Sequence, residues 1–488
     1  MTTRSFRSPR PSAPPEAFWS GHLRAGARYA ETLLPSQAIR VRIARGAFWL
    51  LVGAFAARIA SVATSIVVAR SLGVVQFGAF GIVQNTSALF ATFAGMGLGL
   101  TATKYVAEYR ETQPEKAGEI IFFSTRIAIG SGLVMMLLLL LGAPLLARYA
   151  LAAPKLTGAL RVSAAALLFT AASGAQLGIL AGLEAFKTLG IVTCISNVIL
   201  LVTTISGVVL FGLPGAIWGA VVGAALAVFI NQRAVVMASR KRGIIASGSH
   251  LRSQLAIIRS FSIPAISAGI MTGCAGWACT AILVNRAGYT QMGIFNSSNY
   301  WRQAILFLPA TIGYSLLPVL SSLNAERDSR GLKRVVLIGV FMNMGLAMIV
   351  GIPIVLFSKS IMRAYGRGFE DGSKVLLVIA LAGGLIAVNN HLSRVAAGIG
   401  RMWLSFRFDL CWSFFSLAFS LLLIPRFGAL GLALAALGAA LIQCGYQIVS
   451  LASVGLGSNP FTAERHAGCQ LTPCAAHLEG SSSAGGGD

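Results

Sequence analysis

The sequence predicts an all-α polytopic membrane protein, with about twelve transmembrane helices in two parallel six-helix bundles related by an internal repeat. Three observations predict it. Only 11% of the 488 residues are charged and 56% are hydrophobic, whereas soluble domains carry about 25% charged residues. That is too little charge to cover a surface facing water. The apolar residues also come in long blocks: 133–146 and 195–211 hold no charge at all. A bilayer core asks for runs of roughly 20 apolar residues, because each backbone amide must be satisfied within its own helix. Finally, the chain resembles itself at an offset of about 215 positions.

Taken in order, residues 1–45 are basic and rich in Pro and Ser, with Arg4, Arg7, Arg10, Arg24 and Arg28 among them, and read as a disordered cytoplasmic tail. The first apolar block is too long for a signal peptide and reads as a retained span. Spans are expected at 47–69, 76–102, 120–147, 159–181, 189–211 and 214–238, forming an N-terminal bundle over 46–238. A basic cytoplasmic linker follows at 239–259. Spans at 261–284, 291–320, 335–358, 374–398, 405–424 and 428–453 form a C-terminal bundle over 260–455, and 456–488 is a flexible tail.

The repeat rests on three matches. Phe77-Gly78 in VVQFGAFGIVQNTS matches Met292-Gly293 in YTQMGIFNSSNYWR. Ala181-Gly182 matches Ala397-Gly398, and the GAAL at 223–226 matches the GAAL at 438–441. Six spans per half is an even number, so the halves are parallel, related by an axis along the membrane normal. Paired bundles around a central cleft are a transporter design. The pore loop of a channel and the large extramembrane loop of a membrane enzyme are both missing from the pattern.

Net charge is +24. The basic residues gather at the ends of apolar segments, which points to anionic membrane lipids as partners and not to nucleic acid. Loops with Lys104, Arg110 and Lys116, with Arg240, Lys241, Arg242, Arg252 and Arg259, and with Arg327, Arg330, Lys333 and Arg334 place both termini in the cytoplasm. Residues 359–374, with Lys359, Arg363, Arg367 and Lys374, run against that bias. The cysteines in apolar blocks act as small hydrophobes. His466, Cys469, Cys474 and His477 fit no zinc spacing, so no metal and no cofactor is expected.

The segment ARSLGVVQFGAFGIVQNTSALFATFAGMGLGLTATKYVAEYRE, residues 69–111, resembles the first hairpin of bacterial polysaccharide exporters, the Wzx-type flippases of lipid-linked oligosaccharides. Its carriers are Ala-Arg-x-Leu-Gly, Phe-Gly, a small-residue helix and Gly-Leu-Gly followed by Lys-Tyr-x-Ala-Glu-Tyr. Weaker echoes lie at 180–226 and 289–327. The resemblance implies a V-shaped protein of the multidrug/oligosaccharidyl-lipid/polysaccharide exporter superfamily. Such a protein moves an undecaprenyl-diphosphate-linked glycan across the inner membrane by alternating access, for O-antigen, lipopolysaccharide or exopolysaccharide assembly. The partners implied are the polyprenyl diphosphate sugar and other polysaccharide-assembly proteins. The resemblance implies no catalytic residue.

Such cargo needs a wet cavity with positive charge for the diphosphate, and arginine binds phosphate through its planar fork. Arg58 lies near the middle of the first span, where a charge costs at least ~2.5 kcal/mol. Ser61 and Ser65 follow on the same helical face. Arg302 stands one turn after Asn299, with Gln303 beside it, and Asn299 corresponds to Gln84 in the first half. These residues are the expected substrate-binding set, against a simpler role in hydrogen bonding between helices. Asp409 is the one acid well inside an apolar segment. It is expected to pair with Arg394, which lies at the same depth across the intervening turn, with His391 joining them; a coupling carboxylate is the alternative. A peptidoglycan-precursor flippase and a multidrug exporter are the neighbouring readings, the second disfavoured by the scarcity of buried acids. A membrane glycosyltransferase or polymerase is the reading from another class, with only Glu370 and Asp371 on an outer loop to support it.

Overall fold

A computed structural model describes residues 37–95, 97–245, 251–325 and 329–453, with side-chain surroundings for 53–95, 97–245, 269–311 and 331–453. Residues 1–36 and 456–488, with the His/Cys group in the latter, and residues 246–250 of the expected linker lie outside the described residues; the tail expected over 1–45 is helical from Gln37, and the linker expected over 239–259 is helical again from Leu251. Ten α-helices follow one another, with no strand among the described residues: α1 Gln37–Gly95, α2 Leu98–Tyr109, α3 Pro114–Leu145, α4 Thr157–Gly182 and α5 Phe186–Arg240, then α6 Leu251–Ala325, α7 Ser329–Leu356, α8 Ser358–Tyr365, α9 Gly372–Gly398 and α10 Met402–Ser453.

Seven helical stretches among the described residues are long and apolar enough to cross a membrane. The sequence-based boundaries divide some of them in two, and the backbone shows where. α1, α5, α6 and α10 each contain one glycine with a positive φ: Gly73 at 73°, Gly212 at 61°, Gly288 at 84° and Gly428 at 55°. No other residue adopts that conformation without cost, so the helix breaks there. In α5, Gly207 packs on Gly215 and Gly219 on Thr203, so the chain doubles back on itself. α10 repeats this around Gly428, with Gly431 on Leu423 and Gly438 on Phe419.

The two halves meet chiefly through α1 and α6. A methyl group added at Gly78 would run into the Tyr289 carbonyl, and one added at Gly293 into the Val74 carbonyl. Gly293 and Tyr289 stand 215 positions after Gly78 and Val74, so the two contacts are the same contact made twice. Gly81 packs directly against Asn296, its own counterpart, which puts the two-fold axis between them. Close approach of backbones through small residues is how helices associate where lipid removes the hydrophobic drive.

The largest buried cluster spans both halves near Gly73 and Gly288, and includes Phe77, Met292, Tyr365 and Phe369. Separate clusters sit inside each half, around Ile179 and Leu180 in the first and Val395 and Phe408 in the second. The halves are thus sealed together at one end.

Candidate functional site

The seal is made twice. Arg70 Nε donates to the Ala364 carbonyl at 2.6 Å, and Asn285 Nδ2, 215 positions later, donates to the Ala150 carbonyl. Tyr289 Oη donates to the Leu151 carbonyl at 2.9 Å. On the other side the Tyr365 and Ser65 hydroxyls share a hydrogen bond of 2.9 Å. Phe77 packs against Tyr365 and Phe369, with ring centroids 6.2 and 5.9 Å apart. Burial pushes the Tyr365 phenol well above its ordinary range, with the Ser65 bond opposing, so it stays protonated. Ser65, expected in a polar stripe with Arg58 and Ser61, belongs instead to this seal. The stretch expected as an outer loop, 359–374, contributes α8, whose Met362 and Tyr365 turn inward.

Beyond the seal lies a cavity of about 300 Å³ between α1, α6, α9 and α10. Asn85, Trp277, Asn299, Arg302 and Trp412 are among its walls. Arg302 is held from its own helix: its Nε donates to Asn299 Oδ1 at 2.8 Å, one turn earlier. Trp277 is held across the halves, its indole N–H donating to Thr86 Oγ1 at 3.0 Å. Among its described lining residues there is no Asp or Glu, and Arg302 is the one charged side chain.

The expected binding residues divide. Arg302 and Asn299 line the cavity. Gln84 is half-buried and does not; its neighbour Asn85 does, since a step of one residue turns a helix by about 100°. Ser61 is half-buried and also off the wall. Arg58 lies in the seam between α1 and α6. Its Nη1 donates to Gln303 Oε1 at 3.0 Å, and Phe55 and Phe307 pack in a tilted pair one turn away, with centroids 6.5 Å apart. Its Nε is buried without a hydrogen-bond partner. Trp277, Trp412 and Asn85 were not singled out from sequence. The available signal was two tryptophans inside apolar blocks, away from the membrane interfaces where tryptophan concentrates.

The expected Asp409–Arg394 pair is corrected. Ion pairs among the described residues join Arg110 to Glu184 at 2.8 Å and to Glu111 at 3.4 Å, and Asp409 with Arg394 is not among them. His391 is fully buried, packs on Gly339 of α7 and places Nε2 3.3 Å from the Val336 carbonyl. Arg394, one turn on, shares that α7-directed face, while Asp409 sits half-buried on α10. Each half instead has a buried amide network. Asn231 Nδ2 donates to Ser173 Oγ at 2.9 Å, and Gln447 Nε2 donates to the Asn389 carbonyl at 3.2 Å and to Ser393 Oγ at 3.0 Å. Among the described residues no group of three His, Cys, Asp or Glu is placed to hold a metal.

Residues 43–324 match the model of a family described as polysaccharide biosynthesis protein. A search of curated protein sequences finds no match. Several solved structures share the fold. One is the inward-facing conformation of a multidrug resistance MATE family transporter of the MOP superfamily, with a TM-score of 0.69, 14% identity and coverage of 82% of this chain and 96% of that one. A second is the lipid II flippase MurJ in an inward closed conformation, with a TM-score of 0.65, 14% identity and coverage of 82% and 86%. A third is a MOP superfamily transporter from Pyrococcus furiosus, described by the reverse polarity of its binding pocket, with a TM-score of 0.63, 15% identity and coverage of 86% and 96%.

Proposed function

The chain belongs to the polysaccharide biosynthesis protein family, and we propose that it is a flippase that carries a polyprenyl-diphosphate-linked oligosaccharide across the bacterial inner membrane by alternating access. The carrying observation is the cavity between the halves, where the Arg302 guanidinium is the one charge among the described lining residues. A lipid-linked glycan presents anionic phosphates and polar hydroxyls that cannot cross hydrocarbon unaided. Arg302 and Asn299 in the cavity, and Arg58 in the seam beside it, offer cationic and amide groups to that headgroup. The polyprenyl tail stays in lipid. A wall with no carboxylate among its described residues is ill suited to cationic drugs, which speaks against a multidrug exporter.

Alternating access requires one closed end and one that opens. The doubled clasp around Arg70, Asn285, Tyr289 and Tyr365 is the closed end. With both termini in the cytoplasm, the clasp faces outward and this is the state that loads from the cytoplasm. No bond is made or broken in such a cycle.

The test is reconstitution of the full chain in vesicles with a fluorescent polyprenyl-diphosphate oligosaccharide. Transfer of label between leaflets is expected for the wild type and is lost in Arg58→Ala. Absence of transfer by the wild type would refute the reading. A new glycosidic bond formed from a sugar-lipid donor would replace it with a polymerase.

A further inference from the structure

The repeat shows which parts of the cavity are duplicated and which are not. In α1 and α6 counterparts stand 215 apart, so Trp277 and Arg302 correspond to Val62 and Ser87. In α5 and α10, counted from the breaks at Gly212 and Gly428, the offset is 216, so Trp412, before the break, corresponds to Ser196; the GAAL match after it has an offset of 215. The amide at Asn299 is matched by Gln84. Two indoles and a guanidinium are thus present in one half only, and they converge on one cavity.

Trp277 and Arg302 are each arranged to meet a ligand. Trp277 has its one donor engaged by Thr86, so its ring is positioned and only its apolar surface remains to offer. Arg302 has its Nε engaged by Asn299. Among the described residues, no hydrogen bond engages the two terminal nitrogens of its fork and no acid on the cavity wall answers them. A cation in a membrane cavity without a counter-charge is complementary to an anion. The volume, about 300 Å³, lies at the lower end of the ~300–1,000 Å³ range of small-molecule sites. It admits a single ring, not a whole oligosaccharide.

We propose that this cavity is a subsite for one sugar ring bearing an anionic group. The ring lies against Trp412 and Trp277, its hydroxyls meet Asn299 and Asn85, and its anion enters the Arg302 fork. The inference rests on the reading of the chain as a carrier of lipid-linked glycan. It divides the labour between the two arginines: Arg58 in the seam meets the lipid-bound diphosphate, and Arg302 meets the sugar. The anion is either a carboxylate on the sugar or a phosphate ester attached to it, and the probes separate these.

The experiment is calorimetric titration of the full chain in lipid nanodiscs with methyl glucoside, glucuronic acid and glucose 1-phosphate. At least one anionic probe should bind about tenfold more tightly than the neutral one. A preference for glucuronic acid assigns an acidic sugar; a preference for glucose 1-phosphate assigns the ester. Arg302→Gln should erase the preference, and Arg302→Lys should keep part of it. Trp412→Ala should weaken every probe several-fold, with Trp412→Phe restoring most of the loss and showing that the fold is intact. Equal binding of all three probes by the wild type, or unchanged binding by Trp412→Ala, would overturn the proposal. Leaflet transfer of lipid-linked glycan is measured on the same preparation. Transfer without sugar selectivity sinks the subsite and leaves the carrier reading; selectivity without transfer does the reverse.

Discussion

The N-terminal and C-terminal halves share a frame and differ in what the frame holds. The glycine breaks at 73 and 212 recur at 288 and 428, the crossing at Gly78 recurs at Gly293, and the clasp from Arg70 recurs at Asn285. The buried bond from Asn231 to Ser173 recurs between Gln447 and Asn389. All these contacts use small residues, backbone carbonyls or amides. The charge and the indoles facing the cavity are not repeated: Val62, Ser87 and Ser196 stand where the second half has Trp277, Arg302 and Trp412. Helix contacts that fix the frame constrain both copies alike. A ligand that is not itself two-fold symmetric constrains only the half it touches.

The largest effect expected from breaking this comparison is at Arg302. Arg302→Gln should lower leaflet transfer more than tenfold in vesicles while the protein remains folded. Its mirror, Ser87→Arg, should not raise transfer. It places a charge where the structure shows no cavity, at a cost of about 2.5–3.5 kcal/mol, visible as a lower melting temperature. The frame gives a smaller and symmetric effect. Gly78→Ala and Gly293→Ala each force a methyl into an opposing carbonyl, an overpacking cost of about 1–3 kcal/mol. Thermal unfolding should show equal losses, and a marked inequality would break the two-fold account of the seam.

The seal gives less. Tyr365→Phe removes the bond to Ser65, about 1 kcal/mol, and should raise the labelling of a cysteine placed beside Phe369 several-fold. Ser65→Ala should match it, and the double variant should add nothing, because both remove the same bond. Smallest is Asp409→Asn, which breaks no ion pair with Arg394; stability should move by less than about 0.5 kcal/mol and transfer should be unchanged. A transport loss there would restore the coupling carboxylate.

Much of the frame was legible in the sequence. The Phe77-Gly78 and Met292-Gly293 match located the very residues that cross at the seam, because a glycine kept in both copies marks a close approach of backbones. The span list separated segments that run on through glycine breaks, since hydropathy dips at those turns. The site was legible only in part. Arg302 and Asn299 stood out because a charge and an amide within a span need a reason. Trp277 and Trp412 did not, because a tryptophan in an apolar run raises no such question. The bond from Arg58 to Gln303 depends on the register between two spans 245 positions apart, which no local pattern carries. The Asp409 error has the same root: depth follows from counting residues around a turn, but facing follows from how α9 and α10 rotate against their neighbours.

The central claim is that one half alone supplies the charge and the indoles of the sugar subsite, while both halves build the frame. The most direct measurement is leaflet transfer of a polyprenyl-diphosphate oligosaccharide by the chain carrying Ser87→Arg and Arg302→Ser together, an exchange that conserves net charge and composition. The account predicts transfer as low as in Arg302→Gln, with the wild-type rate recovered only when Arg302 is restored. Transfer at the wild-type rate by the exchanged chain would mean that the halves are interchangeable, and would contradict it.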